Sequence, residues 1–501
     1  MRKRVLAAAF GALLASAMGA EAQTLRIGLA EDPDSFDPAK AWSYVGRVVL
    51  ASICDKLVDI APDTSFVPQL AEAWETSPDG KALTLRLRAG VTFSDGEPFN
   101  AAAVKFNIER FLTLPESRRK AEIAGVTGAT VIDDLTVRID LDKPNAPLIA
   151  QFSDRAGMMV SPKAASAPGA KLDDNPVCVG PYRVVERVAQ DKIVLERVPT
   201  YWDKGKFHFE RLVYQPVPDD AVRLANLRAG QLDFIERVPP TEVAGIKADP
   251  KLAIAAATSL AYQGITINID NGPQANPALK KREVREALSL AIDRKALNQV
   301  AFSGQYLPGN QAQPPNNKFY NKDYPVPERD VAKAKALLKQ AGYDRVKFKM
   351  LVPNNTENLQ VAQIIQSMAA DAGIDIELQS IEFISMLKAA KEGNSEADFV
   401  GWSGRVDPDG NIATLLQCGN PGNDGHYCSA ELDAALAAGR ASNDPEKRRL
   451  AYFQAAKVIA EDNPIIYLYH RQYIAAFASK LAGFVQYPDG IIRLRGVSYG
   501  Q

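Results

Sequence analysis

The first 22 residues determine where this chain folds, and so which stabilising chemistry is open to it. Arg2, Lys3 and Arg4 form a basic start. Val5 to Met18 is an apolar run interrupted only by Gly11 and Ser16, and Ala20-Glu21-Ala22 supplies an Ala-x-Ala pattern before Gln23. Those parts in that order make a secretory signal peptide, 1–22, that is removed on export. The apolar run is shorter than the ~20 residues a bilayer span needs, so a membrane anchor is not expected. No Cys stands at the cleavage point to carry a lipid. The mature chain is therefore expected outside the cytoplasm, in the periplasm, beginning near Gln23.

An oxidising compartment gives the four cysteines a purpose. Cys418 and Cys428 flank the Gly- and Asn-rich stretch Gly419-Asn420-Pro421-Gly422-Asn423, a loop that a disulfide can close. Cys54 and Cys178 then either pair by elimination or remain two buried thiols. A zinc site is not expected: no Cys-x-x-Cys spacing occurs, and His208, His426 and His470 are far apart in sequence.

The mature 479 residues are too many for one core, and two or three domains are expected. A hydrophobic fraction of 46% and a charged fraction of 24% are those of a soluble globular protein. Without the leader the formal charge moves from −1 to −3, which gives nucleic-acid binding no electrostatic support.

Period-two alternation predicts strands at Thr24–Leu29, Leu83–Arg88, Tyr182–Val188, Ile193–Val198 and Arg211–Pro216. Asn100 is a helix N-cap before Val104, Ile108, Phe111 and Leu112, which fall on one helical face. Later the pattern becomes helix–strand alternation, as in an α/β lobe. It contains one helix from Lys281 to Val300, a second capped by Asp330 and ended by Gly342, and Leu359–Ala372. Strands are expected at Lys347–Val352, Ile376–Ile381 and Ile465–His470, with a helix over Pro445–Asp462.

Several segments, in order, resemble the periplasmic solute-binding proteins of peptide and nickel ABC importers. These are Leu70-Ala71-Glu72-Ala73-Trp74 with Ser77-Pro78-Asp79-Gly80, then Leu85 to Gly96 and Phe99-Asn100-Ala101. Gly180-Pro181-Tyr182, Tyr201-Trp202, Arg282 to Arg294, Ala334 to Leu338, Ala341-Gly342-Tyr343 and Trp402 with Asp407-Pro408-Asp409 follow. Each is weak alone; the ordered set spans the mature chain. The resemblance implies an α/β, two-lobed clamshell of type II. Lobe I would comprise 23–262 plus 480–501, with an inserted subdomain at about 45–175, and lobe II 263–479. The chain would cross between lobes near Tyr262 and near Ala478, and a solute touching both lobes would favour the closed form. A membrane permease and its ATPases are the implied partners, the protein being a monomer without cofactor.

The resemblance also points to residues. The stretch Gly401, Trp402, Ser403, Gly404, Arg405 and Asp407 is expected to line the cleft. In peptide-binding relatives an Asp three residues after the Trp holds the ligand's ammonium; here that place belongs to Arg405, which grips a carboxylate or phosphate instead. Two readings stay open: Arg405 faces an anionic group of the solute, or it forms an internal salt bridge with Asp407 or the facing lobe. The relatives' Arg for a dipeptide carboxylate has no match in Pro353-Asn354-Asn355-Thr356-Glu357. Further candidates are Trp42, Tyr44, Ser35, Phe36, Tyr262 and Asn268, while Trp74 and Trp202 are expected in cores.

Rival classes find little support. Gly401-Trp402-Ser403-Gly404-Arg405 lacks the final Gly of a hydrolase elbow, and no Walker or dinucleotide fingerprint is present. A secreted hydrolase, a metal receptor that takes its metal with a small organic chelator (His426 and His470 being expected as a loop and a strand residue), and a binder of a non-peptide anionic solute such as an opine, a conjugate or a metal chelate are the alternatives. The expected function is capture of a peptide or peptide-like solute, with no covalent chemistry.

Overall fold

The computed structural model describes residues 23–500, so the expected signal peptide lies outside the described residues. Two large sheets organise the chain. The first has seven strands, in the spatial order Leu252–Thr258, Gln472–Ala478, Phe234–Ile235, Thr24–Leu29, Arg211–Pro216, Lys192–Arg197, Tyr182–Val188. The second has six, in the order Leu307–Pro308, Ile465–His470, Tyr262–Ile267, Ala397–Trp402, Val346–Pro353, Ile374–Ile381. A separate four-stranded antiparallel sheet, built from 71–141, carries the helix Ala101–Thr113 and shares the first lobe's core. Two disulfides form, Cys54–Cys178 and Cys418–Cys428. Among the described residues no helix is long and apolar enough to cross a membrane.

Local chemistry sets the boundaries. The Asn100 side chain accepts from Ala103 N at 3.0 Å, as its N-cap position predicts. The expected single helix from Lys281 is two, Arg282–Ala291 and Arg294–Phe302. The break follows from Asp293, whose carboxylate accepts from Lys295 N and Ala296 N and so starts a new helix. Arg294 then turns inward, donating to the carbonyls of Gly309, Tyr467 and Ser289.

The chain passes between the large sheets twice. The first passage, Ser259-Leu260-Ala261, follows the strand Leu252–Thr258 and leads into Tyr262–Ile267 of the second sheet. The second is at Arg471 and not near Ala478. The strand Gln472–Ala478 belongs to the first sheet, paired with Leu252–Thr258 along its whole length and with Phe234–Ile235. Its outward step from the second sheet is fixed by packing: Phe477 stacks on Phe234 and meets Phe484 edge-on, inside the first lobe. The residues 472–479, expected in lobe II, therefore sit with lobe I.

His470 ties the two passages together. It is fully buried, and its Nδ1 lies 2.8 Å from Ala261 O. A Cβ on Gly309 would stand 2.5 Å from the His470 ring, so only glycine admits the imidazole there.

Candidate functional site

The stretch after the strand Ala397–Trp402 faces the first lobe at the passages. Gly401 and Trp402 end that strand, opposite Gln263 and Tyr262. A Cβ on Gly401 would lie 2.6 Å from Gln263 Oε1. Gly404 has φ +77°, and its Cβ would fall 2.3 Å from the Leu260 carbonyl carbon, so the turn presses against the first passage.

Asn411, fully buried on the helix Asp409–Leu416, fixes this turn. Its Oδ1 accepts from the Trp402 indole at 3.1 Å and from Arg405 N at 2.6 Å, and its Nδ2 donates to Arg405 O at 2.8 Å. The Arg405 guanidinium lies 4.7 Å from the Trp402 ring centre and donates to Ser403 Oγ and Gly404 O. Across the cleft its Nε is 3.8 Å from Asp154 Oδ2. Of the two readings of Arg405, the facing-lobe ion pair is present. Gly410 makes room for the Arg405 stem, which a Cβ there would meet at 2.9 Å.

Asp154 is the hub on the first-lobe side. It accepts from Arg47 through Nε at 3.1 Å and pairs with its Nη2 at 3.0 Å. Burial pushes its carboxyl up, but Arg47, Arg155, Arg405 and Arg119 together hold it well below the usual carboxylate range. The cations respond to the same crowding. Burial, with Arg119 nearby, pushes Arg155 down to about 9. Burial, with Arg47 nearby, lowers Arg405. Arg47 Nη1, Arg155 Nε and Arg119 Nε are buried without a hydrogen-bond partner among the described residues.

Tyr44 and Arg47 share a face of the helix Tyr44–Ile53, which Ser43 caps by accepting from Gly46 N. The Tyr44 ring stacks on Tyr473 at 5.5 Å, and its hydroxyl donates to Gly490 O. Its other neighbour is Arg237, 4.8 Å from the ring centre. Arg237 pairs with Glu31 at 2.8 Å, and the second-lobe Tyr306 feels its charge. Arg471, at the second passage, pairs with Glu357 at 2.8 Å.

The structure thus brings together Gly401, Trp402, Ser403, Gly404, Arg405 and Tyr44 around the interlobe face. Five other candidates are committed elsewhere. Asp407 is buried and salt-bridged to Arg448 at 2.7 Å within the second lobe. Ser35 donates to Asp173, and Phe36 is a fully buried core residue under Arg187. Tyr262 packs edge-on against Tyr467 in a second-lobe cluster. Asn268 bonds Asn271 O and Ser395 O at the far end of its strand. Trp42 is half exposed, with Arg118 5.5 Å from its ring centre. Sequence reasoning missed Arg47, Asp154 and Asn411. The Tyr44-x-x-Arg47 spacing, one helical turn, was the available signal for the first.

Comparison with known proteins places this geometry. The model of the bacterial extracellular solute-binding proteins, family 5, matches residues 65–423. The chain belongs to that family. The glutathione-binding protein GsiB of Pectobacterium atrosepticum is 30% identical over 469 residues, covering 91% of this chain and 90% of GsiB. The periplasmic binding protein DppA of Helicobacter pylori, solved with the peptide STSA, superposes with a TM-score of 0.85 at 26% identity, covering 95% of this chain and 98% of DppA. AgaA of A. tumefaciens R10, solved with agropinic acid, gives 0.83 at 26%, covering 95% and 99%. The fold is the type II two-lobed binding-protein fold. As a family 5 member the protein is the solute-binding component of an ABC importer, working with permease and ATPase components, and is not an enzyme. Family 5 binding proteins act in the periplasm or outside the cell.

Proposed function

We propose that this protein captures a small peptide-like or opine-like solute between its lobes, with an anionic group of the solute received by Arg47 beside Arg405. The observation that carries this reading is the cation surplus around Asp154. Four guanidinium groups, Arg47, Arg119, Arg155 and Arg405, gather about Asp154 and Glu122, with Asp489 acting on Arg47 as a third carboxylate. Buried charge without counter-charge is costly, and a carboxylate on Arg47 Nη1 relieves it. Glutathione, a short peptide and agropinic acid, the molecules named for GsiB, DppA and AgaA, are all small and carboxylate-bearing. Trp402, Tyr44 and Tyr473 supply aromatic surface for the rest of the solute. Arg405 then acts from the second lobe, closing over the guest.

The test is native mass spectrometry of protein from a periplasmic extract, to identify the solute it carries, followed by calorimetry with that compound and its methyl ester. The free acid is expected to bind and the ester to lose at least tenfold. Equal binding of the ester would overturn the reading.

A further inference from the structure

The two ends of the interlobe face are unequal in charge, and in opposite senses. The Asp154 end carries more cations than carboxylates. At the other end Glu31 and Glu236 flank Arg237, Glu357 pairs with Arg471, and Arg223, which also acts on Glu236, is itself paired with Asp220, leaving carboxylates in excess. Tyr44 is within reach of both ends: Arg47, Arg237 and Glu236 all act on it.

Glu236 is the residue this imbalance leaves unmet. It stands at the carboxyl end of Phe234–Ile235, a central strand of the first sheet, and is 4% exposed. Its Oε1 accepts from Ala30 N at 3.1 Å. Its Oε2 is buried and has no hydrogen-bond partner among the described residues. Arg237 Nε is 4.0 Å from that oxygen, outside hydrogen-bond reach, and the same guanidinium serves Glu31 through Nη1. A buried carboxylate oxygen lacking a donor is destabilising unless a cation or donor reaches it. The acceptor therefore points to a donor that arrives from outside the chain.

We propose that Glu236 receives a positively charged group of the solute, an ammonium or amidinium, so that the guest is a zwitterion lying along Tyr44 with its anion at Arg47 and its cation at Glu236. This rests on the reading of Arg47 given above. It adds a second selection rule: a guest of the right size and acidity but without a cationic group binds poorly, because Glu236 stays unmet.

Calorimetry on the full mature chain tests this with two probe pairs: glutathione against glutaryl-cysteinyl-glycine, which lacks only the amino group, and Met-Leu against N-acetyl-Met-Leu. Wild-type protein is expected to prefer the amino form of at least one pair tenfold or more, and Glu236→Gln to bring that ratio to about one. Gln keeps an oxygen for Ala30 N, so the variant removes charge and not the strand-end contact. A preference that survives Glu236→Gln, or no preference in the wild type, overturns the inference while leaving the Arg47 reading standing. Loss of both members of a pair in Arg47→Gln, with the amino preference of the wild type intact, supports both. If neither pair binds, the solute retained through purification is identified by mass spectrometry. One with an anion but no cation overturns the inference alone, one with no anion overturns both, and a zwitterion is carried into the same Glu236→Gln comparison.

Discussion

Arg405 Nε stands 3.8 Å from Asp154 Oδ2, joining a turn of the second lobe to a buried carboxylate of the first. Both side chains are about a tenth exposed, so water screens the pair little. Asp154 is already held by Arg47 from its own lobe. The second lobe thus adds its cation to a carboxylate whose charge is already partly compensated. On the reading proposed above, closure and capture would be coupled through this one carboxylate.

Removing Arg47 should weaken capture without unfolding the protein, because Arg155 and Arg405 remain about Asp154. Arg47→Gln is expected to cost about 2–3 kcal/mol of binding, roughly 30- to 150-fold in Kd for an acidic guest. Calorimetry with the guest found by mass spectrometry checks this, with circular dichroism as the fold control.

Arg405→Ala should loosen the closed form. The variant loses the cross-lobe ion pair and the cover on Trp402. Small-angle scattering of the guest-free protein is expected to show a larger radius of gyration than wild type, and addition of guest to restore less of the difference.

Gly404→Ala should be destabilising by about 2 kcal/mol or more, since the residue combines φ +77° with a backbone contact at 2.3 Å. Gly419→Ala, at φ +69° but with open space around its Cβ, is the control and should cost less. Denaturant titration of both measures the difference.

Stability should depend on His470 in weak acid. Burial pushes this imidazole down from 6.5 to about 4. The unfolded chain therefore takes up a proton before the folded one does. Stability is whole above pH ~6.5, falls as pH drops through the interval, and the full loss, about 3 kcal/mol, is reached near pH ~4. Denaturant midpoints at pH 7.5, 5.5 and 4.5 should show the decline, and His470→Gln should flatten this part of it.

Reduction should separate the two disulfides by the chain each encloses. Cys54–Cys178 spans 124 residues and Cys418–Cys428 spans ten. On the loop-entropy account the longer closure contributes about 2 kcal/mol more. The Cys54→Ser, Cys178→Ser double variant is expected to melt lower than Cys418→Ser, Cys428→Ser by differential scanning calorimetry.

Much of the fold was legible because local patterns agree with it. Thr24–Leu29, Pro445–Asp462 and Ile465–His470 fall where alternation, capping and apolar spacing place them. The second passage was not, because nothing local marks Arg471: the strands Ile465–His470 and Gln472–Ala478 run on almost without a break, and only their partners distinguish them. The site was half legible. Trp402 and Arg405 lie in one motif, whereas Asp154, Arg47 and Glu236 are contributed by three distant segments that only the tertiary fold juxtaposes. Asp407 carried the right chemistry, but Arg448, 41 residues on, had claimed it.

The His470–Ala261 bond lashes two neighbouring threads side by side where they leave one half of the molecule for the other. Parallel cords knotted at their midpoint resist sliding and twisting, and leave bending about one line as the soft direction. Any bending of one half against the other must therefore pass through this fastening.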